Sequence, residues 1–380
     1  MRQQDSDNRL RFIFGFIYTM TCVFVLFGVV FLFVSGKANH IGQSLFFTVS
    51  EPVRTTDETE KAETQASEAV LTDVLSDEQL VDSFSQNEQT RKPLQYVTPR
   101  DVTAMQADYL AVFADKETDG KVLADDFSRS GVTDWAQNAA VRNATASKSP
   151  DFEQLLSEGM QLEKFNESEP LVLIYHTHTS ESYLLADNGV FWNAYQTHSQ
   201  EEDRNMVRIG EEIADVLESA GIRTVHDKTV YDTQYNGAYA RSREGIIELL
   251  EQYPSVQIVL DVHRDAFYYS DTSRGKPVAE INGKKAAQIM IISGAEEGQI
   301  TDFPDWEYNL RFALELQNTA STLYDGLMRP IYFCQRKYNM DIMKNALLLE
   351  IGSDANTLDE ALYAANLCAQ AMVKMIEKHK

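Results

Sequence analysis

The sequence predicts an α/β protein: an open, mostly parallel twisted sheet flanked by helices, preceded by a transmembrane helix and an acidic stalk. Three observations predict it. An uninterrupted run without charge, FIFGFIYTMTCVFVLFGVVFLFV, occupies residues 12–34. Short apolar runs alternate with stretches of helical periodicity from residue 169 to the C-terminus. Residues able to carry chemistry follow those runs directly, where an open α/β sheet places its functional groups.

The apolar run is long enough to cross a bilayer as a helix, which takes roughly 18 or more such residues. Residues 35–38, SGKA, allow signal cleavage, but the length of the run favours a retained anchor. Arg2, Arg9 and Arg11 precede it and only Lys37 closely follows, so residues 1–11 are expected in the cytoplasm and the rest outside the membrane. Residues 37–97 are rich in Glu, Asp, Ser, Thr and Gln and read as a flexible acidic stalk. Residues 98–168 carry a weak helical pattern with turn-rich patches around Gly131 and at 144–150, and are expected to form a membrane-proximal helical region.

Residues 169–380 form the expected catalytic domain. The run at 171–175 reads as a buried strand. Met206, Ile209, Ile213 and Leu217 share one face of a helix over 203–219. A strand at 222–226, a helix at 243–252 and a buried strand at 256–262 follow. Residues 277–293 read as a hairpin turning at Asn282-Gly283. A helix over 308–327, strands at 331–334 and 346–351, and an amphipathic helix over 358–378 complete the chain.

Charge and cysteine usage narrow the function. The formal net charge of -24, from 58 acidic and 34 basic residues, argues against nucleic acid, whose binding needs a basic surface. Cys22 lies in the apolar run; Cys334 and Cys368 lie in apolar surroundings and read as free thiols rather than a disulfide. With no CxxC or Cys/His cluster, any metal must be held by His and carboxylates.

Three groups sit at strand ends. They are His176-Thr177-His178-Thr179-Ser180-Glu181 after the first strand, His263-Arg264-Asp265 after the third, and Glu350 near the end of the last. Zinc hydrolysis needs three neutral or anionic ligands and an open position, with a carboxylate to move protons. A lone His beyond a strand is most often only a satisfied polar residue; the three groups together on neighbouring strand ends meet the chemical requirement. Glu350 also has a bland reading, as the partner of a structural Arg or Lys.

The segments LVLIYHTHTSESY, HDKTVYD, YNGAYARSREGI, VQIVLDVHRDA and ALLLEIGSDANTLDEA resemble those of the stage II sporulation protein P family, over residues 170–375. The last also resembles the strand-glutamate element of the wider N-acetylmuramoyl-L-alanine amidases, with Ser353 where an aromatic is usual. The resemblance implies an amidase-like sheet and a zinc-dependent enzyme. Its expected substrate is the peptidoglycan bond between the muramic acid lactyl group and L-alanine, with endopeptidase action on cross-links also attributed to the family. It implies His263 as a zinc ligand, Glu350 as the catalytic glutamate, and either His176 or His178 as the second histidine. Position before a helix favours Glu201 as the acidic ligand, with Glu181 its rival. Arg264 is expected either to orient a substrate carboxylate or to pair with a structural acid such as Asp265. Action during forespore engulfment, with stage II sporulation proteins D and M as partners, is implied as well.

Two other classes are weighed against this one. A metal-free serine hydrolase lacks its G-x-S-x-G elbow here, and the H-E-x-x-H helix of many metalloproteases is also missing. A non-catalytic wall-binding scaffold predicts a broken ligand set, whereas His263 and Glu350 are both present.

Overall fold

In the computed structural model, which describes residues 96–380, the chain opens with helix α1 (Arg100–Phe113), strands β1 (Gly120–Asp125), β2 (Asp134–Ala136) and β3 (Ala139–Asn143), and the short helix α2 (Phe152–Glu158). Then come β4 (Val172–Tyr175), β5 (Val190–Phe191), α3 (Met206–Ser219), β6 (Thr224–His226) and α4 (Ala238–Gln252). The strands β7 (Ile258–Asp265), β8 (Tyr268–Ser270), β9 (Ser273–Ile281), β10 (Lys284–Ala287) and β11 (Ile289–Gly294) follow. Helix α5 (Trp306–Leu323), β12 (Ile331–Cys334), β13 (Ala346–Ser353) and α6 (Leu358–Ile376) end the fold. The expected cytoplasmic segment, transmembrane helix and nearly all of the acidic stalk lie outside the described residues. Among the described residues, no helix is long and apolar enough to cross a membrane.

The main sheet has eight strands in the order β2-β3-β12-β11-β13-β7-β4-β6. Five of its pairings are parallel; β2 with β3 and β11 with β13 run antiparallel. Its centre, β13-β7-β4, is buried on both faces and mostly apolar, as strands covered on each side are. Helices α3, α6 and α5 pack side by side. In α6 the buried positions run around the whole helix, so it serves as the middle member of the layer rather than a surface helix. Its start is fixed by a capping box between Thr357 and Glu360, and Glu360 also holds the buried Lys276 at 2.9 Å.

Two expectations change. Residues 98–168 are not a helical region apart. They hold one long helix and three strands, and β3 pairs in register with β12, which makes this segment part of the main sheet. The weak helical pattern came from polar residues on short, half-exposed strands, where alternation is too brief to show a period of two. The hairpin at 277–293 is also divided. Asn282 and Gly283, both at positive φ, turn β9 into β10 as expected of a two-residue loop. Beyond Gln288 the chain crosses to β11 in the main sheet, while β9 and β10 belong to a second sheet, β10-β9-β1-β5, with β8 attached to β9. Cys334 and Cys368 are buried free thiols, and burial pushes both up to about 12.

Candidate active site

Parallel neighbours in register bring the three strand ends together. Tyr175 of β4 lies opposite Asp261 of β7, and His263 of β7 lies opposite Glu350 of β13. The loop after β4 therefore hangs over the end of β7. Its backbone is clamped: Ser199 N donates to Ser180 O at 2.7 Å, and Ser182 N to Thr197 O at 3.1 Å. The Ser180 hydroxyl and amide both donate to Asp232. In this short antiparallel contact Glu181 bridges to His198. Its side chain turns inward, and Oε2 reaches His263 Nδ1 at 3.4 Å.

The loop separates the two histidines that the sequence leaves level. His176 is fully buried behind the cluster, its Nδ1 donating to Val262 O at 2.9 Å and its Nε2 2.9 Å from His226 Nε2. Burial, and then the neighbouring His226, push it down to about 3, so it stays neutral. His178 stands T-shaped to His263, ring centroids 5.4 Å apart, and stacks on the exposed Tyr235. Its Nδ1 is buried with no hydrogen-bond partner. Burial and then His263 lower its pKa.

Glu201 does not join the others. It precedes α3 in an exposed turn, its side chain 64% accessible and paired with Arg204 at 2.8 Å. Asn205, not Glu201, caps the helix, accepting from Val207 N and donating to Ser199 O. Arg264 is buried, and its guanidinium donates to the carbonyls of Ser182, Thr197 and Asp265 and meets His198 Nε2, so it holds the loop. Arg264 N also donates to Glu181 at 3.2 Å. The carboxylate of Asp265 pairs instead with Arg329 at 3.1 Å. Ser353 is fully buried, its hydroxyl donating to Gly275 O.

The electrostatics follow from this packing. Burial works against charge on Glu181, but Arg264 and then His263 outweigh it and hold the carboxyl at about 2. For His263, burial opposes the proton while Asp261 and Glu181 favour it, and the imidazole lies well above its ordinary value. Nε2 of His263 is 2.7 Å from Asp261 Oδ1, an ion-pair contact with the ring N–H off the line to the oxygen. Glu350 has no Arg or Lys partner on its Oε2, which is sealed from solvent although the residue as a whole is partly exposed. Burial, then the charge of Asp265, push Glu350 up to about 8.

The donors suit zinc. Two imidazoles and a carboxylate are a usual catalytic set, and a buried imidazole nitrogen on His178 waits unpaired. Two atoms bound to one tetrahedral zinc lie about 3.4 Å apart, given bonds of about 2.0–2.1 Å, and His263 Nδ1 and Glu181 Oε2 are separated by 3.4 Å. Among the described residues no three His, Cys, Asp or Glu side chains are closed around a common point; the set is gathered rather than closed. Asp261, His198, Tyr235 and Tyr239 are the neighbours that sequence reasoning missed. Asp261 left a signal, an acid two residues before His263 in an otherwise apolar strand.

The chain is similar to known proteins in sequence and in structure. The family described as Stage II sporulation protein P matches residues 36–373. Stage II sporulation protein P of Bacillus subtilis (strain 168) is 30% identical over 217 residues, 54% of this chain and 51% of the relative. The chain thus spans about half the length of that relative. Among solved structures, the N-acetylmuramyl-L-alanine amidase Ami1 of Mycobacterium abscessus is 13% identical with a TM-score of 0.30, covering 55% of this chain and 98% of that one. The CwlD amidase of Clostridioides difficile, solved with the GerS lipoprotein, is 12% identical with a TM-score of 0.34, covering 55% and 98%.

Proposed function

Because the chain belongs to the Stage II sporulation protein P family, we propose that the His178–Glu181–His263–Glu350 cluster is the active site of a zinc-dependent peptidoglycan hydrolase. The observation that carries this reading is the pairing of a His/His/Glu donor set with Glu350 on the adjacent strand, whose Oε2 is buried and without a partner. His178, His263 and Glu181 would hold the metal, leaving one position open. Zinc, when bound, supplies Lewis-acid polarisation of the scissile carbonyl and a more acidic water.

The chain's own residues do the rest. Glu350 takes a proton from the attacking water at its carboxylate and returns it to the leaving amine nitrogen. A carboxyl raised toward neutrality, as burial raises this one, is suited to both transfers. Arg264 keeps Glu181 and the loop in place through the carbonyls it binds. The exposed ring of Tyr235, stacked on His178, offers an apolar face at the mouth of the site. The bond cut is an amide, by family the one joining the muramic acid lactyl group to L-alanine, and the same chemistry extends to peptide cross-links. The apolar run at 12–34 would tether the enzyme to the membrane during sporulation, with proteins of the same engulfment machinery as partners.

The test is zinc content by elemental analysis together with digestion of purified cell walls. Stoichiometric zinc in the wild type, lost in His178→Ala and His263→Ala and kept in Glu350→Ala, with digestion abolished in all three, is expected. Wild-type protein that takes up no zinc and digests no wall would sink the enzyme reading and leave a wall-binding scaffold.

A further inference from the structure

We propose that Asp261 is a positioning residue that fixes His263 as an Nδ1 donor to the metal, by holding the opposite ring nitrogen. The inference rests on the zinc reading above and adds a residue to it. Asp261 and His263 are two apart on β7, so both side chains leave the same face of the strand. Asp261 is 1% exposed in the heart of the sheet, where a carboxylate without partners is costly.

Its partners account for its place. Oδ1 accepts from Thr177 N at 2.9 Å and lies 2.7 Å from His263 Nε2. Oδ2 accepts from the Thr177 hydroxyl at 2.7 Å. That hydroxyl also meets Ser242 Oγ at 2.8 Å, and Asn339 Nδ2 donates to Ser242 Oγ at 3.1 Å. The carboxylate is thus locked from the β4 loop and from α4, and it cannot follow the imidazole if the ring moves.

Two consequences follow for the ring. The ring N–H stands off the line to Asp261 Oδ1, so the carboxylate acts on Nε2 through its charge at 2.7 Å; the neutral imidazole keeps its proton on that side, and the lone pair on Nδ1 is left facing Glu181 at 3.4 Å. A carboxylate behind a ligating histidine also makes the imidazole a stronger donor. Thr177 lies between His176 and His178, so the lock on Asp261 ties the loop bearing His178 to the strand bearing His263.

The experiment is a zinc competition titration against a chromophoric chelator, on the full-length chain in detergent, for the wild type, Asp261→Asn, Thr177→Val and the double variant. Metal-free melting is recorded in parallel. Asp261→Asn should weaken zinc binding about 10–100-fold, and Thr177→Val about fivefold, the worth of one hydrogen bond. The double variant should bind no more weakly than Asp261→Asn alone. In the zinc-loaded wild type, imidazole 15N spectra should put the His263 proton on Nε2. Zinc affinity within threefold of wild type in Asp261→Asn, or a proton on Nδ1, overturns the proposal, as does a fall in metal-free melting with affinity unchanged. If Asp261→Asn does not fold, Thr177→Val decides: wild-type affinity there overturns the role. A wild type that binds no zinc removes the metal reading itself, a result distinct from failure of Asp261 alone.

Discussion

Glu350 sits on a strand that seals one of its carboxylate oxygens, Oε2, from solvent without a partner. In the metal-free protein its folded value is about 8, above the ordinary 4.5. Between those values the folded chain keeps a proton that the unfolded chain has lost, so stability falls as pH rises from about 4.5 to 8. Glu350→Gln should therefore make the metal-free protein more stable at pH 8, by an amount on the order of a few kcal/mol, with the gain vanishing near pH 4.5. Denaturant titrations across that range, in chelator, check it; a pH-independent gain would contradict the buried-acid account. Glu181 and Glu201 offer a second contrast at this scale. Glu181 faces His263 from a clamped loop, whereas Glu201 is exposed and tied to Arg204. Glu181→Ala should weaken zinc binding by at least about tenfold, since losing a ligand costs no less than losing its outer partner. Glu201→Ala should leave it unchanged, and isothermal titration with zinc distinguishes the two. Position before a helix favoured Glu201 in the sequence because such a position reports distance along the chain, not the course of the loop before it.

At the scale of an element, α3 carries a glycine on its buried face. A Cβ at Gly210 would lie 2.5 Å from His226 Nε2 and 2.6 Å from His176 Nε2. The glycine lets the helix close over the histidine pair, and the pair in turn explains why a poor helix former sits there. Gly210→Ala gains roughly 1 kcal/mol of helix propensity and should still lose overall, since overpacking costs about 1–3 kcal/mol. A lower melting temperature is the expected outcome; a higher one would mean that the helix shifts without cost. The helix itself was legible in Met206, Ile209, Ile213 and Leu217, all buried as expected. The pair beneath it was not, because His176 and His226 are 50 residues apart and meet only through the parallel pairing of β4 with β6.

For the molecule as a whole, the segment before residue 169 matters most. Strand β3 covers the edge of β12, β1 pairs with β9 and β5, and Phe113 and Tyr109 of α1 pack on Trp192. A fragment of residues 169–380 would leave those edges and rings uncovered, and unpaired strand edges invite association. It should aggregate or melt well below a fragment of residues 96–380, as size-exclusion chromatography and thermal melts would show. Equal stability and monomeric behaviour of both fragments would make the added strands dispensable.

What the sequence determined by itself is most of the strands and helices from residue 169 onward and the placement of three His- and Glu-bearing groups at strand ends. Apolar periodicity and the residues just past each run are local properties, and these runs were long enough to read. The strand-end placement of His263 and Glu350 was legible for that reason. Only tertiary structure decided that His178 rather than His176 faces His263, that Glu181 rather than Glu201 lies beside them, and that Arg264 donates to the carbonyls of the clamped loop. It also decided that Asp261 stands behind the imidazole and that residues 98–168 complete the sheet. Each of those depends on strand register and on loop clamps between residues far apart in the chain, and no local pattern encodes a distance of that kind.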